Sequence, residues 1–209
     1  MHVQNKLPYQ IFPGIFSSID SYGKKLVQGW FDRHAGPPPW LAALGDIKGY
    51  RPPPHHSRFN VLDRETSVLL TGAPDGVLIR TDDSHLIVDY KTARFTEQQD
   101  ELFPMYDVQL NAYAHIGERC GLAPVSGLAL IYTEPVTDAA TANNDANTTG
   151  QGFIMQFSAH ILPVQLSPER ISCLLQRVRQ IHDLPRAPDP SAGCTDCGLL
   201  NNLLKVVSG

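Results

Sequence analysis

The chain reads as an α/β protein, with α+β as the alternative, built on a mixed central β-sheet flanked by helices. Three observations carry that reading. Apolar residues at helical spacing alternate with short runs rich in Val, Ile and Leu, in the order helix, three strands, helix, strand, strand, helix. The run Val125 to Tyr132 is apolar nearly throughout, as expected of a strand covered on both faces. Thr81-Asp82-Asp83-Ser84, a cluster of polar turn formers, separates two apolar runs and marks a hairpin tip.

The first helix is expected over Ile19 to Asp32, after an extended lead-in over residues 1–16, with Ser17 or Ser18 as N-cap and Ile19, Tyr22, Leu26 and Trp30 on one face. Gly36-Pro37-Pro38-Pro39 stops it, and a helical turn follows at Trp40 to Leu44. Gly45 to Ser57 is rich in Gly and Pro and reads as a stiff connection. Phe59 to Leu62, turned by Asp63-Arg64-Glu65, and the two arms of the hairpin then make three antiparallel strands in a row. A helix is expected from Gln99 to Cys120 despite Pro104, with Gly121 as C-cap. The strand at 125–132 follows, then a loop over 137–150 rich in Ala, Asn, Thr and Asp, and a strand from Phe153 to Ile161. Ser167-Pro168-Glu169 opens the last long helix, which ends near Leu184. A Pro-rich linker leads to Cys194-Thr195-Asp196-Cys197 and a terminal helix from Leu199 to Val207.

With 209 residues and 42% apolar content the chain can fill one core. We read residues 1–190 as one domain and 191–209 as a Cys-x-x-Cys segment with a short helix packed on it. No apolar run approaches the roughly 18 residues of a membrane span, and no apolar stretch follows the amino-terminal Met1 to Lys6. The expected setting is the cytoplasm, away from membranes. Four cysteines, Cys120, Cys173, Cys194 and Cys197, are too few for a disulfide scaffold, and only the last two have metal-ligand spacing. A net charge of -4 argues against a surface devoted to wrapping nucleic acid.

The chemistry lies in the hairpin. Asp75 interrupts its first arm, and Asp89 ends the second, followed by Tyr90 and Lys91. Asp89 and Lys91, two apart on a strand, project to one face, and strand pairing brings Asp75 beside them. Two carboxylates and an ammonium at the end of an apolar sheet are costly to desolvate unless they pair or hold a cation. Asp75, Asp89 and the carbonyl of Tyr90 suit a hard divalent cation, Mg²⁺ or Mn²⁺, that keeps several waters. Read without further context, the same residues make a salt-bridged strand end.

Gly72-Ala73-Pro74-Asp75 followed by Leu86-Ile87-Val88-Asp89-Tyr90-Lys91-Thr92 resembles the signature of the PD-(D/E)XK nuclease superfamily, in its RecB-like exonuclease branch. That branch carries a Gln and a Tyr four residues apart on a later helix, as in Gln109-Leu110-Asn111-Ala112-Tyr113. The resemblance, over about residues 58–133, implies a restriction-endonuclease-like core and metal-dependent hydrolysis of DNA, single- or double-stranded, with Asp75, Asp89 and Lys91 catalytic. It implies that Gln109 and Tyr113 touch the DNA backbone. Asp20 is the positional equivalent of a further metal ligand on the first helix, with His55 and His56 as rivals. A nuclease tolerates the acidic balance, because its metal neutralises phosphate locally. An exonuclease is favoured over an endonuclease, in repair, recombination or phage and defence DNA processing, within a larger complex or alone. The alternative is a catalytically inactive nuclease-fold module that serves as a nucleic-acid or protein-interaction platform.

Some members of the branch clamp their chain ends with a [4Fe-4S] cluster held by one amino-terminal and several carboxy-terminal cysteines. Cys194 and Cys197 fit the far end of that pattern, but no cysteine precedes Cys120. Two thiolates do not complete a tetrahedral site: either the pair is the remnant of a lost cluster or zinc site, or the missing ligands lay on an N-terminal segment absent here, or the pair meets a His or a second chain; bound iron or zinc is not favoured.

Overall fold

A computed structural model describes residues 14–96 and 102–208. Its centre is a five-stranded mixed sheet in the order β1-β4-β5-β6-β9. The strands are β1 (Ile47–Arg51), β4 (Gly76–Arg80), β5 (His85–Thr92), β6 (Val125–Pro135) and β9 (Phe157–Val164). Only the β5 to β6 pairing is parallel; the others are antiparallel. Helix α1 (Gly14–Phe31) and a 3-10 turn at Pro39–Leu44 cover one face, and α2 (Phe103–Gly117) covers the other.

The expected mixed sheet with flanking helices is present, with several boundaries moved for identifiable reasons. Residues 14–16, expected in the extended lead-in, are helical. The Ser18 hydroxyl bonds back to the Gly14 carbonyl at 3.2 Å, so it is an interior serine and no cap. Strand β1 falls where a Gly/Pro-rich connection was expected. It lies at the sheet edge, buries only Ile47 fully, and shifts register between Ile47 and Gly49, so it shows no apolar alternation. Pro104 sits in the first turn of α2, where its missing N–H costs nothing. The helix ends at Gly117 with Glu118 at its C-cap, not at Cys120 with Gly121, and Gly121 takes its φ of +86° in the turn that follows.

The first hairpin arm is split in two. Val68–Thr71 (β3) pairs with Asn60–Asp63 (β2) in a separate small sheet, and β4 pairs with β5. Continuing the register Gly76↔Val88 would set Pro74 opposite Tyr90. Pro74 has no N–H for a ladder, so β4 begins after it. A second interruption separates β9 from a small hairpin of Thr148–Thr149 (β7) and Gly152–Phe153 (β8), inside the strand expected from Phe153. In the expected loop before it, Asp138 caps a four-residue helix α3 (Ala139–Ala142).

Apolar burial locks β5 between two layers. Val77, Ile87, Leu128 and Leu130 face α2, whose Leu110, Ala114 and Ile116 are fully buried. Leu78, Leu86, Val88, Ala129 and Ile131 face Val27 of α1 and Leu41 of the 3-10 turn. Helix α4 (Arg170–His182) packs against α2 and β3 through Ile171 and Leu175. Asn111 pins the approach to α4, donating to Gln165 O and accepting from Ser167 N–H at 2.6 Å. Helix α5 (Thr195–Ser208) starts four residues earlier than expected and leaves Leu199, Leu200, Leu203 and Leu204 exposed.

Gly76 and Val88 meet so closely that a Cβ on Gly76 would lie 2.8 Å from Val88 Cγ2, and Val88 is fully buried. We expect Gly76→Ala to cost about 1–3 kcal/mol of stability in urea unfolding. A cost under about 0.5 kcal/mol would show that the β4 to β5 contact yields freely.

Candidate active site

β5 brings Asp89 and Lys91 together because its side chains alternate. Leu86, Val88 and Tyr90 point to the α1 layer, while Ile87, Asp89 and Lys91 point to the α2 layer. Asp89 and Lys91 therefore share a face, and Lys91 Nζ stands 2.5 Å from Asp89 Oδ2. The two form an ion pair, and among the described residues the buried Oδ2 has no further partner. The Lys91 ammonium also lies over the Tyr106 ring, 4.1 Å from its centroid.

Asp75 reaches the same strand through its main chain. Where Pro74 ends the ladder, Asp75 Oδ2 accepts the Tyr90 N–H at 3.0 Å and takes the place of a strand carbonyl. Its other oxygen, Oδ1, accepts from Lys24 Nζ at 2.6 Å, and the same ammonium lies 2.7 Å from Asp20 Oδ2. Asp20 and Lys24 are one turn apart on α1, so α1 is tied to the site by a three-membered charge chain. Tyr90 contributes only backbone here, since its ring is buried in the opposite layer, where its hydroxyl has no partner among the described residues.

On α2, Tyr106, Gln109 and Tyr113 recur at spacings of three and four and form one face. Gln109 Nε2 donates to Tyr113 Oη at 2.7 Å. The Tyr113 ring lies against Gly72, where a Cβ would approach within 2.6 Å of it, and meets Phe59 edge-on at 6.2 Å. Gly72 is thus the residue that lets Tyr113 sit over the strand entering the site.

The electrostatics are strained in one place. Burial, then the nearby charge of Asp75, push the Asp89 carboxyl up to about 6 against the opposing pull of Lys91 and Lys24. Burial also raises the Tyr113 phenol, against the Gln109 hydrogen bond. Burial disfavours the Lys24 ammonium, but its two carboxylate partners outweigh it and raise the pKa above the usual lysine range.

Of the residues anticipated from sequence, Asp89 and Lys91 meet directly, Asp75 joins them through the Tyr90 amide, and Asp20 stands one ammonium away from Asp75. Gln109 and Tyr113 are joined to each other, and the charges of Asp75 and Asp89 act on Tyr113. His55 and His56 are exposed, with ring centroids 4.0 Å apart and planes tilted by 40°, and His55 is bonded to Ser57. Sequence reasoning passed over Lys24 and Tyr106. Both were accessible by helix-face arithmetic, Lys24 four residues after Asp20 and Tyr106 three before Gln109.

Among the described residues no group of three or more His, Cys, Asp or Glu side chains has metal-holding geometry. A divalent cation fits the donor set, because Asp20, Asp75 and Asp89 bring three carboxylates against only two ammoniums, those of Lys24 and Lys91. Two carboxylates and a carbonyl are a sufficient protein share for an ion that keeps its waters. Cys194 and Cys197 lie at the start of α5, where Cys194 Sγ accepts the Cys197 N–H at 3.4 Å.

Because the folded-state pKa of Asp89 lies above its unfolded value, the folded protein binds more protons, and Asp89 costs stability as pH rises through about 4 to 6. In EDTA, the stability of Asp89→Asn relative to the native chain should therefore grow between pH 4.5 and pH 7. We expect a gain of about 2 kcal/mol in urea unfolding; a difference that is flat with pH would contradict the assigned strain.

No curated protein matches the chain. The family model of the PD-(D/E)XK nuclease superfamily matches residues 24–201, which include every strand of the sheet, Asp75, Asp89, Lys91, Gln109 and Tyr113. The chain belongs to the PD-(D/E)XK nuclease superfamily.

Proposed function

We propose that this chain is a metal-dependent deoxyribonuclease of RecB-like type, acting from DNA ends. The observation that carries the reading is the buried Asp89 carboxylate, held beside Lys91 and under the charge of Asp75. Its family typically hydrolyses nucleic acid with divalent metals.

Asp75, Asp89 and the Tyr90 carbonyl would hold Mg²⁺ or Mn²⁺. In a strand the N–H and C=O of one residue leave by the same edge, so the Tyr90 carbonyl faces the edge at which Asp75 takes its N–H. Held by these groups, a divalent cation would lower the pKa of a bound water and offset charge at the scissile phosphate. Lys91, fixed over Tyr106, aims an ammonium at the same place and can orient the water or donate to a phosphate oxygen. Lys24 restrains Asp75, and Asp20 is a further ligand if Lys24 turns aside. Gln109 and Tyr113 offer an amide and a hydroxyl to the DNA backbone. Residues 1–190 form the nuclease domain in this reading, with a role in repair, recombination or phage and defence DNA processing. No helix among the described residues is long and apolar enough to cross a membrane.

Single- and double-stranded DNA incubated with the protein and Mn²⁺ or Mg²⁺ should be cut. Asp75→Ala, Asp89→Ala and Lys91→Ala should each lower the rate about a hundredfold or more, with folding checked by circular dichroism. A folded native chain that cuts nothing, or variants that cut normally, would contradict the reading and favour the inactive platform. Elemental analysis should find less than one iron or zinc per chain, since Cys194 and Cys197 supply only two thiols. One full equivalent, lost on replacing either cysteine, would restore the cluster or zinc reading.

A further inference from the structure

The face that carries Asp89 and Lys91 continues across the sheet in register. Lys91 on β5 is paired with Tyr132 on β6, and Tyr132 with His160 on β9, so the three side chains form one row. With strands about 4.8 Å apart, His160 lies about 10 Å from Lys91 along that row. Phe95, three residues beyond the end of β5, covers the row. Its ring is stacked on His160, with centroids 4.6 Å apart and planes 7° apart, and meets Tyr132 edge-on at 5.5 Å. Glu134 fastens the arrangement by accepting the Phe95 N–H at 3.0 Å, with Arg94 Nε at 3.7 Å and His160 Nε2 at 3.9 Å. The Phe95 and His160 rings stay partly exposed, and the Arg94 side chain is 87% exposed.

A flat pair of rings at a sheet edge, with an exposed guanidinium next to it and the Lys91 ammonium two strands further on, has the composition of a base-stacking platform. Aromatic faces accept any base, and cations follow the backbone. We propose that Phe95 and His160 form a stacking ledge for an unpaired nucleobase of single-stranded DNA next to the phosphate at Lys91, with Arg94 contacting the adjoining backbone. The proposal rests on the nuclease reading and specifies its substrate: a single strand or frayed end. The Glu134 charge is no barrier to the strand, because Arg94 and the Phe95 amide already face it.

Binding of a 5′-labelled single strand, measured by fluorescence anisotropy in EDTA, tests the ledge. The strand is used intact or with a central block of abasic nucleotides. The native chain should bind the intact strand about tenfold tighter or more. Phe95→Leu, which keeps an apolar packing volume without a ring, should bind both strands at the weaker level, and Phe95→Trp should restore the preference. A native chain without preference, or a Phe95→Leu variant that keeps it, would overturn the ledge. If Asp89-dependent cleavage persists in that case, the ledge falls alone; if the native chain neither binds nor cuts DNA, the nuclease reading falls with it.

Discussion

One hydrogen bond organises the site: the Tyr90 N–H donated to the Asp75 carboxylate at the point where Pro74 ends the β4 to β5 ladder. A strand amide at that depth needs an acceptor. With a proline next in register, the side chain of the following residue supplies it. The consequence is that an acidic residue outside any strand is fixed against β5, where Asp89 and Lys91 emerge. Gly76, with no Cβ, lets Val88 close over the start of β4 just beside it.

Around that bond the protein maintains an unresolved electrostatic conflict. The α2 layer buries Asp89 while Asp75 holds a second negative charge close by, and Lys91 and Lys24 offset this only in part. A site balanced purely for stability would pair these charges fully or replace them with apolar groups. Retaining the strain makes sense where an incoming cation relieves it, and the same charge deficit would draw a divalent ion to this end of the sheet.

Much of this was legible in the sequence. Asp89 and Lys91 share a face because strand side chains alternate, and Gln109 and Tyr113 meet because helical ones recur every fourth residue; each needs only local geometry. The Val125 strand was visible because both of its faces are buried. β1 was not, since an edge strand with a bulge and a glycine carries no apolar alternation. The split of the first hairpin arm depends on the register between β4 and β5, a long-range property that Pro74 expresses only once its partner is known. The bond from Lys24 to Asp75 and the stack of Phe95 on His160 join residues 51 and 65 positions apart, and no periodicity encodes such contacts.

Calorimetric titration of Mn²⁺ into the metal-free protein at pH 7.5 addresses the central claim, that Asp75 and Asp89 together form a cation seat. Saturable binding is expected, weakened about tenfold or more in both Asp75→Asn and Asp89→Asn while the fold is retained. Unchanged affinity in either folded variant would contradict it.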